Sequence, residues 1–236
     1  TVGIAAELQK ARRTGLTFAP EAGTWRMRQV INKLISEEDL YSAVESAYSQ
    51  GWRRGKLYFM TGLPTETDED TLAILELARK CIEVGRRHQR SPSVTVSVGG
   101  FVPKPFTPFQ WFGQNTEDEL RRKVGLLRDE LKRQPKVYRG VQLKWHDARA
   151  SVVEGMMSRG DRRLGRVIED VWRAGGVFQE WGEHFDISLW ETAMATHGMT
   201  FEDLVYRHRT SEEVLPWDHL SAGLHKDFLW QDWRDA

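Results

Sequence analysis

Residues 56–62 read KLYFMTG and run directly into LPTET at 63–67. An apolar run of strand length, closed by Gly and Pro and followed by hydroxyls and acids, predicts a strand, a turn and a helix start. The same unit recurs on both sides. Residues 16–20 read LTFAP and enter the loop EAGT; residues 94–102 read VTVSVGGFV and enter PKPFTPFQ. LTFAP and KLYFMTG carry few polar residues, as strands covered on both faces do. Helices are expected between them. Ser36 precedes Glu37, Glu38 and Asp39, a hydroxyl cap with acids in the first turn. Leu40, Val44 and Ala47 then share a face before Gly51. Thr67 precedes Asp68, Glu69 and Asp70, and the stripe Leu72, Leu75, Ala78, Ile82 runs to Gly85. A third helix is expected over 116–132. Such alternation predicts an α/β protein with parallel βα units and right-handed crossovers.

Further out, 134–140 reads as a linker and 141–145 as one more strand candidate. Beyond it 149–158, 161–174, 187–196 and 201–206 are helical candidates, and 1–13 resembles the tail of a preceding helix. The division expected is therefore 1–134 for the βα part and 141–236 for a mainly helical extension packed on it.

The 236 residues hold 34 Lys and Arg against 34 Asp and Glu, so a bulk polycation is excluded. Ten Trp and ten Phe exclude disorder for most of the chain. No apolar run of membrane-spanning length occurs, so no membrane partner is expected. The single cysteine, Cys81, allows no internal disulfide and reads as a core thiol, consistent with a reducing, cytoplasmic home. Charge is uneven: 121–149 holds ten Lys and Arg against three acids, while 176–236 holds four against twelve. Two readings stand, solvated faces that complement one another or a phosphate-backbone contact by the basic segment.

In parallel α/β folds ligands bind at the carboxyl ends of strands. Here those ends carry Glu21 and Glu66, the cations Arg26, Arg28, Lys33 and Lys104, and Gly23, Gly62, Gly99 and Gly100. Each has a plainer reading as well. Glu66 would cap the helix at Thr67, Arg26 and Arg28 would pair with Glu37 or Glu38, and Gly99–Gly100 would mark a bulge. No G-x-G-x-x-G, Walker A, G-x-S-x-G or metal-spaced His pair is present.

Together, LTFAPEAGTWRMRQVINKLISEEDL (16–40), GWRRGKLYFMTGLPTETDEDT (51–71) and VSVGGFVPKPFTPFQW (96–111) resemble the radical S-adenosylmethionine (SAM) superfamily. The resemblance is to its cobalamin-binding members, often described as iron–sulfur oxidoreductases. RGDRRLGRVI (159–168) and LPWDHLSAGLHKDFL (215–229) resemble the extension that follows the barrel in that family. The resemblance implies strands four to six of a partial (β/α)6, TIM-like barrel. It implies a parent enzyme that cleaves SAM reductively at a 4Fe-4S cluster, with cobalamin a possible further cofactor, to modify an unknown substrate. By it, Glu21 matches the acid or amide that contacts SAM, and Arg26 or Arg28 the base near the methionyl carboxylate. Gly62, Leu63 and Pro64 match the turn beside the adenosyl group, and Val98, Gly99 and Gly100 border adenine through their backbones. The family's C-x-x-x-C-x-x-C loop is absent, so the cluster ligands would lie in a preceding part of the same protein, this chain's expected partner. Trp25 and Phe106 also depart from the pattern on the substrate side. The alternative reading is a degenerate, non-catalytic barrel that docks RNA or a protein.

Overall fold

The computed structural model describes residues 15–235 and contains a four-stranded sheet in the order β1-β2-β3-β4. The strands are β1 (Leu16–Glu21), β2 (Arg54–Thr61), β3 (Ser93–Gly100) and β4 (Val141–Trp145). β1 pairs in parallel with β2, and β3 with β4. The three βα units expected from sequence are present, and the helix expected over 1–13 lies outside the described residues. The helices are α1 (Trp25–Val30), α2 (Glu37–Ser49), α3 (Asp68–Arg86), α4 (Glu117–Arg133), α5 (Ala148–Arg159), α6 (Leu164–Arg173), α7 (Ile187–Thr196) and α8 (Lys226–Asp235). A 3-10 turn at Pro108–Trp111 and a π turn at Glu202–Tyr206 complete the elements.

Local chemistry explains where the helices start. Ser36 with Asp39, and Thr67 with Asp70, each form a reciprocal capping box at the heads of α2 and α3. Each cap stabilises its helix by about 1 kcal/mol. α1 was not anticipated; its cap is Thr24, whose hydroxyl accepts from the Met27 amide.

One face of the sheet is the core. Leu57, Phe59, Val94, Val96 and Val98 pack with Leu40, Val44, Tyr48, Ile74, Ala78 and Cys81 from α2 and α3. Each large side chain buried there contributes roughly 1.5–3 kcal/mol. The expectation that β2 is covered on both faces does not hold. Leu57 and Phe59 are buried, but Tyr58 between them is 37% exposed. On the outer strand Gln142 and Lys144 are exposed as well. Tyr, Phe and Met all read as apolar in sequence, which hid a period of two.

The chain forms two compact units, each built from two separate stretches of the sequence. Thr1–Gly99 with Arg121–Trp145 make the sheet unit, and Gly100–Leu120 with His146–Ala236 make the second. The expected cut at 134–140 therefore falls elsewhere. β4 lies beyond that linker yet pairs with β3, and the aromatic loop after β3 belongs with the tail. In the second unit Trp111, Leu215, Trp217 and Leu229 form one buried cluster, and the Trp217 indole donates to Gln110 Oε1 at 2.7 Å. A separate core joins Val152, Met156, Val167, Trp190 and Met194 of α5 to α7. α8 is a formed helix rather than a frayed end. Among the described residues no helix is long and apolar enough to cross a membrane.

Candidate functional site

The carboxyl ends of β1 and β2 are shaped by two residues in a backbone region that side chains disfavour. Glu21 closes β1 at φ 69°, and Thr65 lies in the loop after β2 at φ 61°. A β-branched residue at such an angle is an outlier, and each costs on the order of 1–3 kcal/mol unless its surroundings hold it. Glu21 owes its position to an irregularity in the ladder. Phe18 pairs with Leu57 but Glu21 with Phe59, so β1 carries one residue more than its partner. Pro20, which has no amide hydrogen to give a ladder, sits inside that bulge. Gly62 then turns the chain out of β2 at φ 86°, an angle only glycine takes without strain.

What holds Thr65 is Arg26, whose guanidinium donates to the Thr65 hydroxyl at 3.1 Å and carbonyl at 2.9 Å. The same guanidinium pairs with Asp70 at the head of α3. Asp70 also accepts from the Thr24 hydroxyl at 2.6 Å and the Thr67 amide at 2.9 Å. Burial alone would raise the Asp70 pKa, but these hydrogen bonds outweigh it and hold the carboxyl below its ordinary value. The loop after β1 lies so close to α3 that a Cβ on Gly23 would stand 2.6 Å from the Asp70 carbonyl oxygen. Arg26 remains half exposed, so one charged edge still faces solvent.

Below these loops lies a charge pair that charge counting by segment did not reveal. Glu66 does not cap α3, because Thr67 and Asp70 do. It turns back to β2, accepting from the Gly62 amide at 2.6 Å and the Thr61 hydroxyl at 3.2 Å. Lys123 of α4 meets it at 3.0 Å, with both side chains under 5% exposed. Burial raises the Glu66 pKa, and the Gly62 amide and Lys123 counter that rise.

Of the residues expected at this edge, Glu21 is partly exposed, with Lys33 at 3.6 Å. Gly99 ends the sheet unit at the carboxyl end of β3, and a Cβ there would meet nothing within 4 Å. Leu63, Pro64 and Val98 are buried and offer only backbone. Gly62 also offers little, since its amide is taken by Glu66. Arg28 follows its plainer reading, a pair with Glu37, although it is buried rather than on a helix surface. It is 1% exposed and donates to the Ala22 carbonyl at 3.1 Å, with Glu37 at 3.7 Å, so it supports the loop rather than facing a cleft. Gly100 is counted with the second unit, where a Cβ would press on Leu120 and Ser151 at about 3.1 Å. Lys104 is also in that unit, paired with Glu154 at 2.6 Å. Thr24, Thr65, Asp70 and Lys123 were missed as site residues. The one signal was Thr67-x-x-Asp70, legible as a cap but not as a hub.

An uncharacterized protein of Methanocaldococcus jannaschii is 32% identical over 154 residues. That match covers 65% of this chain and 32% of the archaeal protein, so the chain spans about a third of that relative's length. No family model and no solved structure matches the chain.

Proposed function

We propose that the sheet unit is the C-terminal half of a radical SAM barrel, with β1 to β3 as strands four to six and their carboxyl ends facing SAM. The observation that carries this reading is the strained pair Glu21 and Thr65 at neighbouring strand ends, clamped by Arg26. Strain of that kind persists where a site needs a fixed shape. The polar groups fit the nucleoside. The Glu21 carboxylate accepts from ribose hydroxyls, the open edge of Arg26 pairs with the methionyl carboxylate, and Gly99 leaves room for a base.

The residues present do not fit an iron–sulfur cluster. Such a cluster takes several thiolates, whereas the one cysteine, Cys81, is buried in the core with its pKa pushed up to about 12 by burial. The reductive step therefore lies outside what these residues carry, and no residue here is assigned to cobalamin. A lone core thiol suits the cytoplasm as the compartment. The RNA-docking alternative draws less support, because Arg122, Lys123, Arg128, Arg133 and Arg149 of the basic segment all sit in ion pairs.

The test uses the protein at its natural length, reconstituted anaerobically with iron and sulfide and supplied with SAM and a reductant. 5′-Deoxyadenosine is expected, and Glu21→Ala is expected to lower its formation about tenfold, the loss of one charge-assisted contact. A natural-length protein that forms no cluster and no deoxyadenosine contradicts the reading. So does a Glu21→Ala variant with full activity.

A further inference from the structure

The second unit buries two guanidiniums side by side. Arg159, at the end of α5, is fully buried, and Arg209 is 6% exposed. Both lean on backbone oxygens. Arg159 donates to the Leu204 and Gln110 carbonyls at 3.3 Å, and Arg209 donates to the Arg159 carbonyl at 3.0 Å and to that of Leu204 at 3.3 Å. Arg209 also lies over the Trp217 ring, 5.2 Å from its centroid. Among the described residues neither guanidinium has a carboxylate at ion-pair distance; Glu213 and Asp161 act on Arg209 only from farther away. Three of their nitrogens, Nη2 of Arg159 and Nε and Nη1 of Arg209, have no hydrogen-bond acceptor. Burial and the neighbouring Arg209 push the Arg159 pKa down to about 9, which leaves it charged at neutral pH. Buried cations without counter-charge are costly, and the carbonyls of Gln110, Arg159 and Leu204 offset only part of that cost.

Arg209 is also part of the wall of a cavity of about 270 Å³, together with Arg163 and Arg207. Three acids share the wall, and each is engaged. Asp161 holds Arg163, Glu213 takes Arg207 at 2.8 and 2.9 Å, and Asp203 accepts from the Thr200 hydroxyl. Arg209 is thus the wall's arginine without a carboxylate at ion-pair distance, with Arg159 behind it. A larger cavity of about 770 Å³ shares Asp161, Arg163 and the apolar groups of Val214, Leu215 and Pro216 with that wall, and adds Arg162 and His219. The wall's three arginines balance its three acids, so Arg159 behind it adds the one positive charge in excess, and this compartment adjoins a roomier one that suits a ring or chain.

We propose that these adjoining cavities bind a small organic oxyanion, a phosphate or carboxylate head group beside Arg209 with its apolar body against Val214–Pro216. The head group supplies negative charge beside the buried pair, which has no carboxylate at ion-pair distance, and a guanidinium wall favours planar or tetrahedral oxyanions over chloride. This site is independent of the SAM reading, since all its residues lie in the second unit.

The test is calorimetric titration of the whole chain with phenyl phosphate, benzoate and inorganic phosphate, against sodium chloride at equal ionic strength. Phenyl phosphate or benzoate is expected to bind about tenfold more tightly than inorganic phosphate, because only they fill the apolar compartment. Whichever organic ligand binds identifies the head group. Arg209→Met is expected to weaken it about tenfold or more. Glu213→Gln, which removes a negative charge from the wall and frees Arg207, is expected to tighten it several-fold, and this variant decides the matter if Arg209→Met does not fold. No heat beyond the chloride control for any ligand overturns the proposal. Unchanged affinity in folded Arg209→Met, or weaker affinity in Glu213→Gln, overturns it too and leaves the arginines as clamps on helix ends.

Discussion

The two units handle buried charge in opposite ways. In the sheet unit Glu66 and Lys123 neutralise each other at 3.0 Å, and the Gly62 amide and Thr61 hydroxyl donate to the same carboxylate oxygen. In the second unit Arg159 and Arg209 share the Leu204 carbonyl and have no carboxylate at ion-pair distance among the described residues. A neutral, saturated pair fixes a shape, here the turn that carries Thr65 above it. An unsaturated pair of like charges keeps a demand that a ligand can meet. The contrast separates residues that build a site from residues that await an occupant.

The largest expected effect comes from breaking the neutral pair. Glu66→Gln leaves Lys123 buried without its counter-charge and is expected to cost about 3–5 kcal/mol in urea unfolding. Adding Lys123→Met to Glu66→Gln is expected to recover a large part of that loss, because no charge then stays buried. A single-variant cost under about 1 kcal/mol would show that the pair is not shielded from water as its burial implies.

Arg159→Met sharpens the comparison from the other side. It loses two hydrogen bonds but relieves a like-charge contact, so about 1–2 kcal/mol is expected, well below the Glu66→Gln cost. A larger loss than Glu66→Gln, by the same unfolding measurement, would mean that the carbonyls alone saturate the arginines.

A smaller effect concerns pH. Pairing with Arg207 holds the Glu213 carboxyl down at about 2, below its ordinary 4.5. The folded state then binds that proton less tightly than the unfolded chain. The resulting stability is complete above about pH 4.5 and is lost as pH falls from there through about 2. Glu213→Gln is expected to flatten that acid limb of the Tm profile, and an unchanged limb would assign it to other carboxyls. Smallest of all is Arg26→Ala, whose half-exposed ion pair is expected to contribute under about 1 kcal/mol. Its signature is instead a shift of the Thr65 amide resonance, and an unmoved Thr65 would refute the clamp.

Much of the fold was legible because caps and strand ends are local signals. Ser36 with Asp39, Thr67 with Asp70, and Gly62 each announce themselves within four residues. Charge in the interior was not legible, because burial depends on partners far along the chain. Lys123 counted as one cation in a basic run, yet its partner stands at Glu66. Arg28 looked like a loop cation, but the Ala22 carbonyl and Glu37 draw it inside. The boundary between units failed for the same reason. Trp111 buries against residues a hundred positions later, which no linker composition near 134–140 can report.

The proposed SAM site puts an adenosyl ligand at the carboxyl edge of β1 and β2. Titration of the isotopically labelled chain with S-adenosylhomocysteine, followed by amide resonances, tests it most directly. The account predicts saturable shifts centred on Glu21, Arg26, Thr65 and Gly99, reduced in Glu21→Ala. Shifts confined to residues of the second unit, or none at millimolar ligand, would contradict it.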